Sequence, residues 1–483
     1  MPSKLQNYVD GSWTDADTND TIELRNPADT TDVIAEFQNS GREDTREAIE
    51  AANRAQSQWA DTPGPERGRM LRDAASHLAD RKDKLAEELT REEGKPLSEA
   101  TGEVQRAIDI FYYCAEKARD YGGTKKSSSS RRSNLYTIEE PVGVAGLITP
   151  WNYPIAIPAW KLAPALATGN AVVFKPAGAA PTVGVRLVEA LDEAGVPKGV
   201  VNLVTGPGKT VGDELVTNEG VDAISFTGSA VVGNQVYETA TQNGKRAQCE
   251  MGGKNPTVVM PSADLDQAVS IVANGAFGGT GQACTACSRA IVHEDVHDEF
   301  VTRLVDHVES LEIGPGLDDY DMGPHVNETE KESTLDYVDV GQKEGAKLET
   351  EQRALDDSRL DNGYFVQPFV FSEVTPEMRI AQEEIFGPVL AVLEVSDFDE
   401  AVAVANNVKY GLSSSIVTDE HTEAMQFVDE IEAGVAKINE KTTGLELHVP
   451  FGGFKNSSTE TWREQGDAGL DFYTISKTVY DNY

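Results

Sequence analysis

The sequence predicts an α/β protein built from two doubly wound lobes and a small third element. Three observations carry this expectation. The chain has 483 residues, too many for one hydrophobic core, which stops growing near roughly 250–300 residues. Strand and helix patterns alternate in two separate series, over residues 135–210 and 252–449. Strands separated by helices of crossover length imply parallel sheets.

Each element has its own signal. From Asp44 to Tyr121 apolar residues recur at three-to-four spacing, as in Ala48, Ala51, Ala52, Ala55 and Trp59, which predicts helices. Pro63-Gly64-Pro65 breaks the run. The serines at 127–130, between Lys126 and Arg131, read as a solvated link, with a phosphate site as the weaker alternative. Residues 142–148, 171–174 and 200–204 read as strands, and 155–168 and 183–193 as helices. In the second series, 265–277 and 297–309 read as helices, and 290–292, 388–394 and 414–417 as strands. The tail at 472–479 alternates like an edge strand.

Composition excludes several classes. Lys plus Arg total 42 and Asp plus Glu 81, a net charge of −39. Such a chain offers no basic face to phosphates, so neither nucleic acid nor an anionic membrane is an expected partner. The acids are spread along the whole chain, which suits a salt-adapted surface; a merely acidic enzyme is the alternative. No apolar run is long enough to span a bilayer. The opening Met1-Pro2-Ser3-Lys4-Leu5-Gln6-Asn7 lacks a secretory apolar core, so a cytoplasmic location is expected. Four cysteines (Cys114, Cys249, Cys284 and Cys287) are too few for a disulfide framework and fit a reducing compartment.

Five motifs carry chemistry. Phe277-Gly278-Gly279-Thr280-Gly281-Gln282-Ala283-Cys284 ends a helix in glycines that let a ligand approach the backbone. Cys284 after such a turn is either an exposed nucleophile or an inert core thiol. Glu250-Met251-Gly252-Gly253-Lys254 sits at the seam between the two series; Glu250 is a desolvated base or a surface cap. Asn152, in Thr149-Pro150-Trp151-Asn152-Tyr153-Pro154, is an amide at a strand end, suited to stabilise a developing oxyanion. Phe174-Lys175-Pro176-Ala177 lies at another strand end. Phe226-Thr227-Gly228-Ser229 runs from strand through glycine into helix, an anion site. It is not the G-x-G-x-x-G fingerprint. Cys287 makes a C-x-x-C pair with Cys284, but no second pair or histidine cluster supports a metal; simple packing and a protective disulfide both remain open.

Together the motifs resemble the aldehyde dehydrogenase superfamily. The resemblance spans nearly the whole chain and includes Asn7-Tyr8-Val9-Asp10-Gly11, Asn26-Pro27-Ala28, Glu383-Glu384-Ile385-Phe386-Gly387-Pro388-Val389 and Pro450-Phe451-Gly452-Gly453-Phe454-Lys455. It implies a Rossmann-like NAD(P)-binding domain over 1–121 and 142–251. A catalytic domain would cover 252–449, and an oligomerisation element 122–141 with 463–483. By the same resemblance Cys284 is the nucleophile that forms a thiohemiacetal and then a thioester. Glu250 activates the hydrolytic water, and Asn152 with the Cys284 N–H forms the oxyanion hole. Lys161 orients the Asn152 turn, with a solvated helix lysine as its alternative reading. The dinucleotide would lie along Ile148, Thr149, Pro150 and Trp151, with Phe226, Thr227, Gly228 and Ser229 at its pyrophosphate. Lys175 and Glu384 would hold the riboses, and Phe386 would pack by the nicotinamide ribose. Ala177, Gly178, Gly208, Lys209 and Gly212 would line the adenine side. NAD-preferring members often carry a glutamate where this chain has Gly178, so NADP or NAD is expected, with NADP accepted. A homodimer or homotetramer is implied.

The substrate expected is a small aldehyde. The arginines usual in succinate-semialdehyde members are replaced by Trp160 and Gly278. Pro154-Ile155-Ala156-Ile157-Pro158-Ala159-Trp160-Lys161 and Thr442-Thr443-Gly444-Leu445-Glu446-Leu447-His448-Val449-Pro450 look like 2-oxoglutarate-semialdehyde dehydrogenases of pentose oxidation. Succinate semialdehyde, betaine aldehyde and broad specificity are the alternatives. Tyr153 and Trp160 offer ring faces to a cation or simply belong to the core. A CoA-acylating enzyme is disfavoured by Glu250. A cysteine hydrolase using Cys284 and His448, and a non-enzymatic binding protein, complete the rival readings.

Overall fold

The computed structural model describes residues 3–352, 355 and 357–483. Residues 1 and 2, which open the first expected domain segment, lie outside that description.

The first lobe is a seven-stranded sheet. Its order is Arg246–Glu250, Ala223–Thr227, Val144–Ile148, Ala171–Lys175, Val201–Leu203, Asn7–Val9 and Ser12–Thr14. The first five are parallel and the last two antiparallel. Val144–Ile148, Ala171–Lys175 and Ala223–Thr227 are buried at every residue, which is why they read as continuous apolar runs. The chain steps outward from Val144–Ile148 through two strands. It then returns to pair Ala223–Thr227 on the opposite side. Strand order therefore reverses between these neighbours, and their carboxyl ends flank the crevice where open α/β sheets bind ligands.

Helices follow the expected pattern closely. Arg42–Asp61, Gly64–Ala79, Lys82–Glu93 and Leu97–Asp120 fill the helical stretch, with the break at Pro63. Ala156–Ala167 is apolar around its circumference and nearly all buried, because it is sandwiched between the sheet and Leu97–Asp120.

The second lobe is another seven-stranded sheet, ordered Lys347–Leu348, Phe369–Ser372, Val389–Val395, Cys287–His293, Asn255–Val259, Ser413–Val417 and Val435–Ile438. All its pairs are parallel except the first. Helices Leu265–Phe277 and Glu294–Glu309 occur where the periodicity put them.

A three-stranded ribbon stands apart. Thr474–Asn482 pairs antiparallel with Ser133–Pro141, whose other edge takes Lys125–Lys126. The serines at 127–130 form the loop between these strands. The tail strand starts at Thr474, later than its alternation suggested. Gly466–Phe472 is instead a helix, with buried Leu470 and Phe472, and packs on Ala156–Ala167. The segment from 463 to 473 thus sits against the first lobe, while only the strand belongs to the ribbon.

Candidate active site

The crevice of the first sheet opens into a cavity of about 250 Å³ between the lobes. Pro150, Trp151 and Asn152 reach it from the end of Val144–Ile148; Thr227, Gly228 and Ser229 come from the end of Ala223–Thr227. Cys284, Glu384 and Phe386 close it from the second lobe. Met251, Gly252 and Ile385, which the motifs contain without a role, and Glu330 and Ser333, which carried no sequence signal, also line it.

The loop before Cys284 is bent by backbone geometry. Gly279, Thr280 and Gly281 have φ of 57°, 58° and 70°, a left-handed run that ends the preceding helix. Gly281 has no alternative, since a Cβ there would lie 2.4 Å from the Gly387 carbonyl oxygen. Asn255 Nδ2 donates to the carbonyls of Cys284 (2.9 Å) and Ala286 (2.8 Å) and fixes the loop. Asn152 Nδ2 donates to the carbonyl of Gln282 at 3.0 Å, so the amide stands beside the cysteine loop.

Cys284 is partly open to the cavity. Its thiol is pushed up to about 12, first by desolvation, then by the carboxylates of Glu384, Glu250 and Glu464. Cys287 faces the core of the second lobe, where its sulfur donates to Thr257 Oγ1 at 3.2 Å. Cys114 and Cys249 are buried in the first lobe, so of the four thiols only Cys284 meets the cavity.

Glu250 is buried, which overturns its reading as a surface cap. Its Oε2 accepts from the Gly453 N–H at 3.1 Å, and among the described residues its Oε1 has no hydrogen-bond partner. Burial and the neighbouring Glu464 hold its carboxyl well above the ordinary carboxylate range. Gly452 is required beside it, because a Cβ there would lie 2.8 Å from Glu250 Oε1. Lys161 is likewise buried rather than solvated: it bonds Ser225 Oγ at 2.7 Å and pairs with Glu464. It does not touch the Asn152 turn through any of these bonds. That contact belongs to Lys95, whose Nζ donates to the Asn152 carbonyl and to Glu103 Oε2, each at 2.7 Å. Glu103 Oε1 in turn accepts from the N–H groups of Ile155 and Ala156. Neither Lys95 nor Glu103 carried a sequence signal.

The remaining cofactor candidates form a shelf behind the cavity. Among the described residues Thr149 and Thr227 keep buried hydroxyls without hydrogen-bond partners. Lys175 Nζ meets only the Pro176 carbonyl, at 3.1 Å, and burial lowers its pKa to about 8. Gly212 abuts Lys175 and Ile148: a Cβ there would sit 3.8 Å and 3.9 Å from their side chains. Phe226 is packed in the sheet core; Ala177 is half-buried and Gly178, Gly208 and Lys209 are exposed at the shelf's outer end. Ser229 caps the helix Ala230–Gln242 and lines the cavity, so the helix N-terminus opens there. Glu384 Oε1 accepts from Gly253 N at 3.1 Å, and burial raises its carboxyl to about 7. A Cβ at Gly252 would fall 1.9 Å from that carboxylate, so Gly252 leaves room for Glu384, while a Cβ at Gly253 would lie 2.6 Å from the Cys284 carbonyl oxygen. Phe386, at φ 62°, meets Trp151 edge-on with ring centroids 5.3 Å apart. Orphaned hydroxyls, an underused lysine and a helix N-terminus on one path fit a dinucleotide.

His448 does not join this site. It is exposed, and its near neighbour is Glu446 at 3.8 Å. A cysteine–histidine hydrolase dyad is therefore excluded by position.

A partly open cysteine on a cavity, a desolvated carboxylate and a run of unpartnered polar groups make a site suited to a cysteine nucleophile and a nucleotide cofactor. The aldehyde dehydrogenase family model matches residues 13–479. The alpha-ketoglutarate semialdehyde dehydrogenase of Haloferax volcanii is 64% identical over 483 residues, covering 100% of both chains. The 2,5-dioxopentanoate dehydrogenase of Saccharolobus solfataricus is 43% identical over 460 residues, 95% of each. A crystal structure of betaine aldehyde dehydrogenase from Staphylococcus aureus in complex with NAD+ superposes with a TM-score of 0.95 at 34% identity, covering 99% of this chain and 94% of that one. The chain belongs to the aldehyde dehydrogenase family.

Proposed function

We propose that the protein oxidises 2-oxoglutarate semialdehyde to 2-oxoglutarate with NADP or NAD, as a step of pentose breakdown in the cytoplasm. The carrying observation is full-length identity of 64% to a relative named for this substrate, together with the presence of both Cys284 and Glu250 at the seam of the lobes.

The chemistry follows from the side chains. Cys284, as thiolate, adds to the aldehyde carbon, and Asn152 Nδ2 with the Cys284 N–H stabilises the oxyanion of the thiohemiacetal. When bound, the dinucleotide supplies a hydride acceptor. Loss of hydride from the thiohemiacetal leaves a thioester on Cys284. Glu250 takes a proton from water, the hydroxide adds to the thioester, and the tetrahedral species expels the Cys284 thiolate and releases the carboxylate. A carboxyl raised by burial is suited to this exchange near neutral pH.

In this reading the dinucleotide lies along Ile148, Thr149, Pro150 and Trp151, with Phe226, Thr227, Gly228 and Ser229 at its pyrophosphate. Lys175, Glu384 and Phe386 hold its sugars, and Ala177, Gly178, Gly208, Lys209 and Gly212 its adenine side. The first sheet with its helices acts as the NAD(P)-binding domain and the second as the catalytic domain. The exposed edge Thr474–Asn482, which carries Ile475 and Tyr480 outward, pairs with a second copy in a homodimer or homotetramer.

The test is cofactor reduction in high salt with 2-oxoglutarate semialdehyde, succinate semialdehyde, betaine aldehyde and an alkyl aldehyde. The reading requires the highest kcat/KM for 2-oxoglutarate semialdehyde. A higher value for betaine aldehyde or the alkyl aldehyde removes the substrate assignment and leaves the family.

A further inference from the structure

The proposed substrate carries a carboxylate at the end remote from its aldehyde, and the arginine positions usual for such substrates hold Trp160 and Gly278. A different cation stands in the right place. Arg106 lies on Leu97–Asp120, one turn beyond Glu103, which anchors the Asn152 turn. Its guanidinium donates to the Leu445 carbonyl and, at 2.9 Å, to Gln465 Oε1. Both acceptors are neutral, and among the described residues no carboxylate lies within 4.0 Å of it. Asp109, near it, is engaged by Gln105 at 2.9 Å, and Glu446 points into solvent. Glu446 and Asp109 act on Arg106 only at longer range, and a half-buried guanidinium with no carboxylate in contact is a costly arrangement unless an anion visits it; burial holds its pKa below the usual range.

Two further donors lack acceptors. The Gln465 Oε1 bond to Arg106 leaves Nε2 only to donate, and that atom is buried without a partner. Trp160 Nε1, a donor that cannot accept, is also buried without one. Gln465 itself sits at φ 62°, a strained conformation for a side-chain residue. The loop around Leu445 is laced to this stretch: Gly466 N donates to Leu447 O at 3.1 Å, and Phe451 pairs with Glu464. Trp160 packs on Phe451, with centroids 6.3 Å apart. Tyr153, next to Asn152, lies within electrostatic reach of both Cys284 and Arg106. None of Arg106, Tyr153, Trp160 or Gln465 lines the cofactor cavity. The cation and the orphan donors therefore lie outside the cofactor cavity, and Tyr153 connects the cation to Cys284.

We propose that Arg106, with Gln465 Nε2 and Trp160 Nε1, seats the distal carboxylate of the substrate. This assignment rests on the semialdehyde reading above. It makes the pocket donor-only, so an uncharged tail leaves the buried donors unpaired.

The experiment compares wild type, Arg106→Met and Arg106→Lys on 2-oxoglutarate semialdehyde and on pentanal. A charge-assisted pair is worth about 10- to 100-fold. Arg106→Met is expected to raise KM for the semialdehyde by that factor, with kcat within about threefold. Its kcat/KM for pentanal should stay within about threefold of wild type. Arg106→Lys keeps the charge but loses the planar fork and should fall between; it carries the test alone if Arg106→Met does not bind cofactor normally. Equal losses on both aldehydes would make Arg106 a prop for the Leu445 loop and overturn the assignment, as would no loss on the semialdehyde. If wild type does not favour 2-oxoglutarate semialdehyde, that reading fails on its own. The same variants on succinate semialdehyde and butanal then score Arg106: a loss confined to the charged member supports the carboxylate seat, and no such selectivity overturns it.

Discussion

Lys95 Nζ lies 2.7 Å from the backbone carbonyl oxygen of Asn152 and 2.7 Å from Glu103 Oε2. The ammonium also sits 4.3 Å from the Tyr153 ring centroid and 3.8 Å from Glu93. One buried cation thus ties the helix Leu97–Asp120 to the turn that presents the proposed oxyanion donor. Lys95→Met strands two buried carboxylates, which costs about 3–5 kcal/mol, and frees the turn. Calorimetry should show a lower Tm and steady-state kinetics a lower kcat. Lys95→Met/Glu103→Gln should recover part of the Tm but not the kcat. An unchanged kcat in either variant would reduce Lys95 to a structural role.

The reactivity of Cys284 should depend on Glu384. Burial is the largest cause of its raised pKa and Glu384 the next. A raised thiol pKa means that thiolate is scarce at neutral pH and grows about tenfold per pH unit below that pKa. Glu384 is itself raised to about 7, so its charge opposes the thiolate only above that pH. Glu384→Gln should therefore speed iodoacetamide alkylation above about pH 7 and shift the profile to lower pH. Superimposable profiles would mean that the charge does not act on the sulfur.

Gly178 sets the expected cofactor tolerance. It is exposed, and a Cβ would meet Phe37 at 3.5 Å, an ordinary contact, so Gly178→Glu should fold normally. The new carboxylate should repel a 2′-phosphate and lower kcat/KM for NADP while sparing NAD. At an effective dielectric near 20, such a charge pair is worth on the order of 1–3 kcal/mol. The ratio of the two kcat/KM values, measured with one aldehyde, checks this.

The net charge of −39 should make stability depend on salt. Repulsion among surface carboxylates weakens as the Debye length shrinks from about 10 Å at 0.1 M to about 3 Å at 1 M. The Tm should rise steeply with potassium chloride into the molar range. A full-height melting transition in salt-free buffer, at the same temperature, would contradict it.

Much of this architecture was legible because its signals are local. Val144–Ile148 and Ala171–Lys175 are wholly buried, so their apolar runs are unmistakable. Gly279 and Gly281 announce the bend before Cys284 because left-handed backbone favours glycine. The supporting shell was not legible for the opposite reason. Lys95 and Glu103 look like surface charges on a helical stretch, and only tertiary packing buries them together. Glu464 is far in sequence from Lys161 and Glu250, and no spacing rule joins them. Lys161 itself was ambiguous between buried and solvated until Ser225 and Glu464 appeared beside it. The tail strand begins later than its alternation predicts, since Phe472 alternates in sequence but closes the buried helix Gly466–Phe472.

In the proposed mechanism Cys284 carries the acyl group and Glu250 releases it. Rapid mixing of Glu250→Gln with cofactor and 2-oxoglutarate semialdehyde tests it most directly. The expected result is a burst of one reduced cofactor per active site, slow turnover after it, and an acyl adduct on the Cys284 peptide by mass spectrometry; Cys284→Ala should give no burst. Wild-type turnover in Glu250→Gln, or a burst in Cys284→Ala, would contradict it.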